Sequence, residues 1–286
     1  MKKSGRKVLS VILMAVMVFA LLPVISMPMV VKADDVPQEH QAHDEKDDEK
    51  DNYKCHKGWK VIHNWDELKS LGEDGGSGYL VDNIEISETF NIKSGKTVNL
   101  CLNGYSITQT ANLTDTITVN GTLNLYDKKD NLGIITHAST KTGSGVDIED
   151  NGTFTMNGGT ISGNNTDYGG GVYNHGTFTM TEGTISGNNA SRYGGGVYNY
   201  NGTFFTMTEG TISGNEATYG GGVYNSYGTF TMTEGTISGN NARRFGGGVD
   251  NYGTFTMEGG TIKENKAEKI GAGVYVEKTF IKELSQ

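Results

Sequence analysis

Five ionisable side chains have the types and the spacing for proton-transfer chemistry. Aligning Val146 with Val172, as the repeats described below require, puts Asp147 beneath Tyr173 and Glu149 beneath His175, with Asp150 and Asp167 near by. Two carboxylates and an imidazole on one face are the parts of a general acid and base, such as glycosidic-bond hydrolysis uses. Variation on a solvated face accounts for the same residues, so Asp147, Glu149, Asp167 and His175 stand only as candidates and the reading leans away from an enzyme.

A second set is aromatic. Tyr173, Tyr198, Tyr224 and Tyr275 recur at one position of the repeat, beside Tyr200, Tyr227 and Tyr252 and interrupted by Asp250. They are expected to face solvent as a flat strip, and such rings hold sugars or partner proteins with little loss of entropy; stacked tyrosines also stabilise a parallel sheet without any ligand. Glu182, Glu209 and Glu234 recur at one corner. Charges about 4.8 Å apart in water repel by only about 1 kcal/mol, so the column stands without a cofactor, and a weakly held Ca²⁺ is the only one it suggests. Thr177, Thr179, Thr229, Thr231, Thr254 and Thr256 flank the phenylalanines in Thr-x-Thr arrays, which suit an ice-binding face or simply the high β-propensity of exposed threonine. Cys55 and Cys101 are the two cysteines of the chain, open to one disulfide or to two separate thiols.

These residues need a scaffold, and the composition points to one. Of 286 residues 42 are glycine and 3 proline, and 32 of the glycines lie between Gly143 and Gly273, interleaved with Val, Phe, Met and Ile. Gly without Pro excludes collagen, and the apolar content excludes a linker. From Gly143 the chain repeats every 24 to 27 residues. Gly-Gly-Gly-Val-Tyr-Asn starts at 169, 194 and 220; Gly-Thr-Phe-Thr-Met starts at 152, 176, 228 and 253; Gly-Thr-Ile-Ser-Gly-Asn starts at 159, 183, 210 and 235. Each repeat is three short strands of period-two alternation with glycine corners, a unit that buries its apolar side only by stacking on copies of itself.

The expected fold is therefore all-β, a right-handed parallel β-helix with three strands per coil of about 25 residues. Columns of Val172, Val197, Val223, Val249 and Val274, of Phe154, Phe178, Phe205, Phe230 and Phe255, of Met156, Met180, Met207, Met232 and Met257, and of Ile161, Ile185, Ile212, Ile237 and Ile262 point inward. Asn188, Asn215, Asn240 and Asn265 stack at one bend, and the additional Phe204 is expected to form a bulge. Residues 79–142 carry a degenerate version of the plan, giving about seven coils and a rod on the order of 35 Å. Ahead of them, in a cap over 55–78, Asn64-Trp-Asp-Glu67 has the residues of a capping box, and Trp65, Leu68 and Leu71 share one face of a short helix before Gly72, placed to cover the open end of the stack.

The N-terminus reads as an exported chain. Lys2, Lys3, Arg6 and Lys7 precede an apolar run from Val8 to Val31 and a Val-Lys-Ala33 cleavage-like site, a signal peptide over 1–33 or else an uncleaved anchor. Removing it leaves 19 basic against 33 acidic side chains, a net charge of -14, which argues against nucleic acid as a partner. No second apolar run follows, so no membrane span is expected after cleavage. Residues 34–54, with nine acidic and three basic side chains, form an acidic spacer with too little apolar surface to fold. The regular repeats over 143–286 stop at Gln286 one strand into a new coil, as a truncated array would.

Gly58-Trp59, Gly78-Tyr-Leu80, Ser94-Gly-Lys-Thr-Val-Asn-Leu-Cys-Leu-Asn-Gly104 and Asn120-Gly-Thr-Leu-Asn-Leu-Tyr-Asp127, followed by the Gly-Gly-Gly-Val-Tyr-Asn repeats, resemble the pectin-lyase-like right-handed β-helix surface proteins of Gram-positive bacteria. The resemblance spans nearly all of residues 55–286. It implies an extracellular or cell-surface setting and adhesion to a polysaccharide, a surface glycan or a surface protein. Asn165-Thr-Asp167 is similar to the first motif of polygalacturonases, but the aspartate pair and the Arg-Ile-Lys that accompany it there are absent from the repeats. The function expected is a secreted or surface-held binding or adhesion module. A polysaccharide lyase or glycoside hydrolase of that fold is the first alternative, and an ice-binding protein is the second.

Overall fold

A strand of three to five residues with an apolar side chain at every second position buries one face only, so these repeats close by stacking in register. The computed structural model describes residues 57–127, 132–200 and 203–277, and the backbone of 279–282. It is a right-handed parallel β-solenoid of about eight turns. Like residues stack on like: Val146, Val172, Val197 and Val223 pair in successive coils, as do Phe178, Phe205 and Phe230. The expected signal peptide, the expected acidic spacer and Cys55 lie outside the described residues; Cys101 is buried.

Three sheets form the walls. A sheet of sixteen strands carries both the Phe-Thr-Met and the Thr-Ile-Ser segments; one of eight carries Val-Tyr-Asn, from Phe90–Ile92 to Val274–Val276; one of five runs from Asn165–Tyr168 to Lys266–Ala267. A full coil thus has four strand segments, for example Val197–Asn199, Phe204–Met207, Thr211–Ser213 and Glu216–Tyr219. The repeat pattern anticipates the first three. The fourth escapes it because a copy buries at most a single alanine, Ala190, Ala217 or Ala242, among polar residues. The coils number about eight where the repeats suggest about seven: Val146–Ile148, aligned with Val172 in the sequence, forms a layer of its own between Ile117–Val119 and Val172–Asn174.

The core is a set of one-residue columns. Phe154, Phe178, Phe205, Phe230 and Phe255 stack with ring centroids 5.1, 4.8, 4.5 and 4.7 Å apart and planes within 7°. Each such buried side chain contributes about 1.5–3 kcal/mol. The expected Val, Met and Ile columns are buried through Val249, Met232 and Ile237, and only Val274, Met257 and Ile262 in the last described coils are partly exposed.

Two asparagine ladders run along the axis. The expected one, Asn188, Asn215, Asn240 and Asn265, begins one coil earlier at Asn164, and each amide donates to the next oxygen at 2.9–3.0 Å. The second consists of Asn174, Asn199, Asn225 and Asn251, linked at 2.6–2.7 Å. Both sets are buried at bends where the backbone leaves polar groups inside, and the amides satisfy them.

The glycine triplet is a matter of space as much as of conformation. Gly194 has φ +66, and a Cβ there would lie 2.4 Å from the Val197 carbonyl oxygen; a Cβ on Gly196 would lie 2.6 Å from the Gly222 carbonyl oxygen of the next coil.

Two local expectations are corrected. Phe204 does not bulge: it pairs with Thr177 and Thr229, 57% exposed, while Phe205 keeps the core column, so the additional residue is absorbed ahead of the strand, where Thr203 is turned inward. The helix spans Trp65–Asp74 and does not stop at Gly72, whose missing side chain lets the helix approach the second sheet: a Cβ there would meet the Asn91 carbonyl oxygen at 2.4 Å. Asn64 caps it, accepting from the Glu67 amide at 3.1 Å.

Candidate functional site

At the corner between the third and second sheets, three glycines without side chains leave two rows of rings face to face. One row lies on the second sheet at the central position of its strands, where Asp147, Tyr173, Tyr198, Tyr224, Asp250 and Tyr275 occupy consecutive coils. The other closes the strands of the third sheet: Tyr168, Tyr193, Tyr219 and Phe245. Tyr168 lies 6.1 Å from Tyr173 and 6.0 Å from Tyr198; Tyr193 lies 5.8 Å from Tyr198 and 4.5 Å from Tyr224.

The tyrosine column therefore does not face solvent as the repeat pattern suggests. Tyr198 and Tyr224 are only 6% and 8% exposed, and Tyr173 and Tyr275 are half-buried. Burial pushes the Tyr173, Tyr198 and Tyr224 hydroxyls above the ordinary phenol range. Over it lies the covering row, a half-buried aromatic ledge of Tyr168, Tyr193, Tyr219 and Phe245, with Tyr200 at 40% exposure beside it.

Arginines decorate this ledge. Strands Asn189–Tyr193 and Asn241–Phe245 hold one residue more than Asn165–Tyr168 and Glu216–Tyr219, and the register shifts there. The longer strands carry Arg192 and Arg244. Arg192 donates to the Tyr168 hydroxyl at 2.9 Å with its guanidinium 5.8 Å from that ring; Arg244 repeats this on Tyr219 at 3.0 and 5.7 Å.

The ledge ends in a depression of about 410 Å³, where Tyr168 is joined by Asn165, Thr166, Asp167, Ser191 and Asp115. Short loops in the sequence suggest no cleft at all. The concavity arises because the irregular loop around Leu113 and Asp115 stands beside the first regular coil. Asp115 accepts from the Ser144 amide at 2.6 Å; burial raises its carboxyl, with that hydrogen bond working in the opposite sense. Asp167 is exposed and accepts from the Ser191 hydroxyl.

The expected acid-base set is thus split. Asp147 pairs in register with Tyr173, as aligned, and its Oδ1 is buried without a hydrogen-bond partner. Burial, then the nearby charges of Asp115 and Glu149, push its carboxyl up to about 7. His175 packs 4.0 Å from the Tyr173 ring and 4.9 Å from Tyr200; burial lowers it, while exposed Glu149 and Asp150 act the other way. Asp167 belongs to the depression instead. Neither Asp115 nor the covering row is among the residues the repeats single out: Asp115 has no repeat to mark it, whereas an aromatic residue before each glycine triplet is a signal that could mark the row.

Glu209 and Glu234 are exposed and Glu182 half-buried, and among the described residues no three His, Cys, Asp or Glu side chains come together as a metal site. Phe204 interrupts the outer threonine column between Thr177 and Thr229, while Thr179, Thr206, Thr231 and Thr256 continue unbroken. Among the described residues no helix is long and apolar enough to cross a membrane.

No protein family, curated protein or solved structure matches this chain.

Proposed function

We propose that this chain is an exported or surface-held binding module that holds a glycan against the ledge of Tyr168, Tyr193 and Tyr219, with one sugar seated in the depression at its end. The observation that carries the reading is the depression itself. It combines a ring face at Tyr168 with the polar groups of Asn165, Thr166, Asp167 and Ser191, the pairing of apolar face and fixed hydrogen-bonding groups that a sugar ring requires. The surface-protein resemblance agrees with it, as do the exported N-terminus and the acidic spacer read from the sequence.

A glycan array tests it, with the chain beside a variant carrying Tyr168→Ser, Tyr193→Ser and Tyr219→Ser. Binding by the first alone, with both folded by circular dichroism, supports the ledge. Equal binding by both, or binding by neither, refutes it.

One observation favours a second reading, hydrolysis of the bound glycan. Asp147, with its carboxyl at about 7, is suited to donate a proton, and Asp115 lies near enough for its charge to act on it. Release of reducing ends from an array-positive glycan, abolished by Asp147→Asn, would establish this reading; absence of release would remove it and leave the binding module.

A further inference from the structure

Asp250 is the least accommodated group of the molecule. It occupies the position that Tyr173, Tyr198 and Tyr224 fill in preceding coils and Tyr275 in the next. Its exposure is 0%, and neither carboxylate oxygen has a hydrogen-bond partner. Aromatic residues flank it instead, Tyr224 and Tyr275 holding the same position in the coils on either side. Phe245 stacks on Tyr275 at 4.9 Å and 17°, Tyr224 lies 5.5 Å from Tyr252, and Tyr252 lies 6.3 Å from Tyr275. The second carboxylate at hand, Glu277, is exposed and hydrogen-bonded to the Tyr252 side chain. Among the described residues no lysine or arginine pairs with either acid, and Arg244 is turned onto Tyr219.

A carboxyl enclosed by rings and lacking any donor is an incomplete arrangement. A structural role would call for a hydrogen bond or a counter-ion, and packing alone would be served by the tyrosine of the other coils. Ring faces attract a cation, most strongly when it is desolvated, and a carboxylate among them supplies the opposing charge. We propose that Asp250, Tyr224, Tyr252, Phe245 and Tyr275 form a binding site for a methylated ammonium group, with the carboxylate as counter-charge and the ring faces as walls. Methyl groups suit it better than N–H donors because rings outnumber acceptors. The ligand enters from the solvent side, where Phe245, Tyr252 and Tyr275 are each part-exposed, while Tyr224 forms the closed floor.

Binding is coupled to one proton. Burial, and then the charge of Glu277, push the Asp250 carboxyl up to about 7. The other titratable groups around it, Tyr224, Tyr252 and Tyr275, are phenols, and burial raises those of Tyr224 and Tyr252 further. A cation that needs the ionised carboxylate displaces the proton, so affinity is constant above that value and falls by about tenfold per pH unit below it.

The test is calorimetric titration of the chain with tetramethylammonium at about pH 8.5 and about pH 5.5, beside ammonium and the uncharged isostere neopentane-like tert-butyl alcohol. Saturable binding is expected at the higher pH with a dissociation constant on the order of 1 mM, at least about tenfold weaker at the lower pH, and undetectable for the uncharged compound. Asp250→Asn, close in size and unable to ionise, abolishes it, and so does Asp250→Tyr, which restores the residue of the other coils; retained circular dichroism shows both variants folded. No saturation at the higher pH overturns the proposal. So does equal binding by Asp250→Asn or by the uncharged isostere, and ammonium binding as well as tetramethylammonium overturns the choice of a methylated group. Because Tyr168 and Tyr193 take no part, failure here leaves the glycan reading untouched, and the reverse.

Discussion

The Nδ1 of His137 lies 2.7 Å from the amide oxygen of Asn164, so a histidine closes the asparagine ladder at the coil where regular repeats begin. Its Nε2 donates to the Thr114 carbonyl oxygen at 2.8 Å, and the ring is 6% exposed. The irregular and regular parts of the solenoid are thereby joined through a buried polar contact, directly behind the loop that carries Asp115.

Replacing a member of this chain strands its neighbours. His137→Leu leaves the part-buried Thr114 carbonyl oxygen without its Nε2 donor, removes the buried contact with Asn164, and is expected to cost about 1–3 kcal/mol. Asn215→Ala removes bonds to Asn240 and to the Ile185 carbonyl, and the acceptor for Asn188; it is expected to cost about 3 kcal/mol or more. Urea unfolding midpoints check both, and a change below that of a surface substitution would disprove the ladder's role.

Two glycines separate space from conformation. Gly196→Ala places a methyl 2.6 Å from the Gly222 carbonyl oxygen and 2.8 Å from Ile212, and is expected to destabilise by about 1–3 kcal/mol or more through forced coil separation. Gly187 has φ +63 with nothing within 4 Å, so Gly187→Ala meets only backbone strain of about 1–2 kcal/mol. Crystal structures of the two variants should show displaced coils in the first and none in the second.

The two tyrosine rows should differ in stability. Tyr198→Ala removes a ring enclosed by Tyr173, Tyr193 and Tyr224 and is expected to cost about 3 kcal/mol. Tyr168→Ala, on the half-buried ledge, should cost less, about 1 kcal/mol. Thermal melts of the two variants, side by side, decide whether the covering row is a surface or part of the core.

Stability should fall with rising pH. The Asp147 and Asp250 carboxyls stand at about 7 in the folded chain against 3.8 as the ordinary value. Between about pH 4 and pH 7 the native chain therefore holds more protons than the unfolded one, and stability is lost as pH rises through that window. For the fully buried Asp250 the loss is up to about 4 kcal/mol. Denaturant midpoints across the window should decline, and Asp250→Asn should flatten the decline; an unchanged slope would contradict it.

Much of the fold is readable along the chain because a solenoid repeats one local problem. Alternation at Phe178 and Met180, a glycine at each corner and the same residues one coil later dictate which side chains face inward and what they touch. The candidate site is less legible. Asp147 and Tyr173 pair as alignment predicts, since register is a one-dimensional property. Asp115 lies on a loop without a repeat, and its approach to Asp167 and Tyr168 depends on how the irregular coils sit against the regular ones.

Period, spacing and identity at equivalent positions are enough to specify the parallel coil, the phenylalanine column and the expected asparagine ladder. Tertiary structure decided what becomes of the outward side. Whether Tyr198 meets solvent, or Asp250 meets water, depends on the Gly-Gly-Gly corner that turns Tyr193 and Phe245 back over the neighbouring sheet. Outward describes only a side chain's relation to its own strand, whereas exposure is set by whatever another strand places above it.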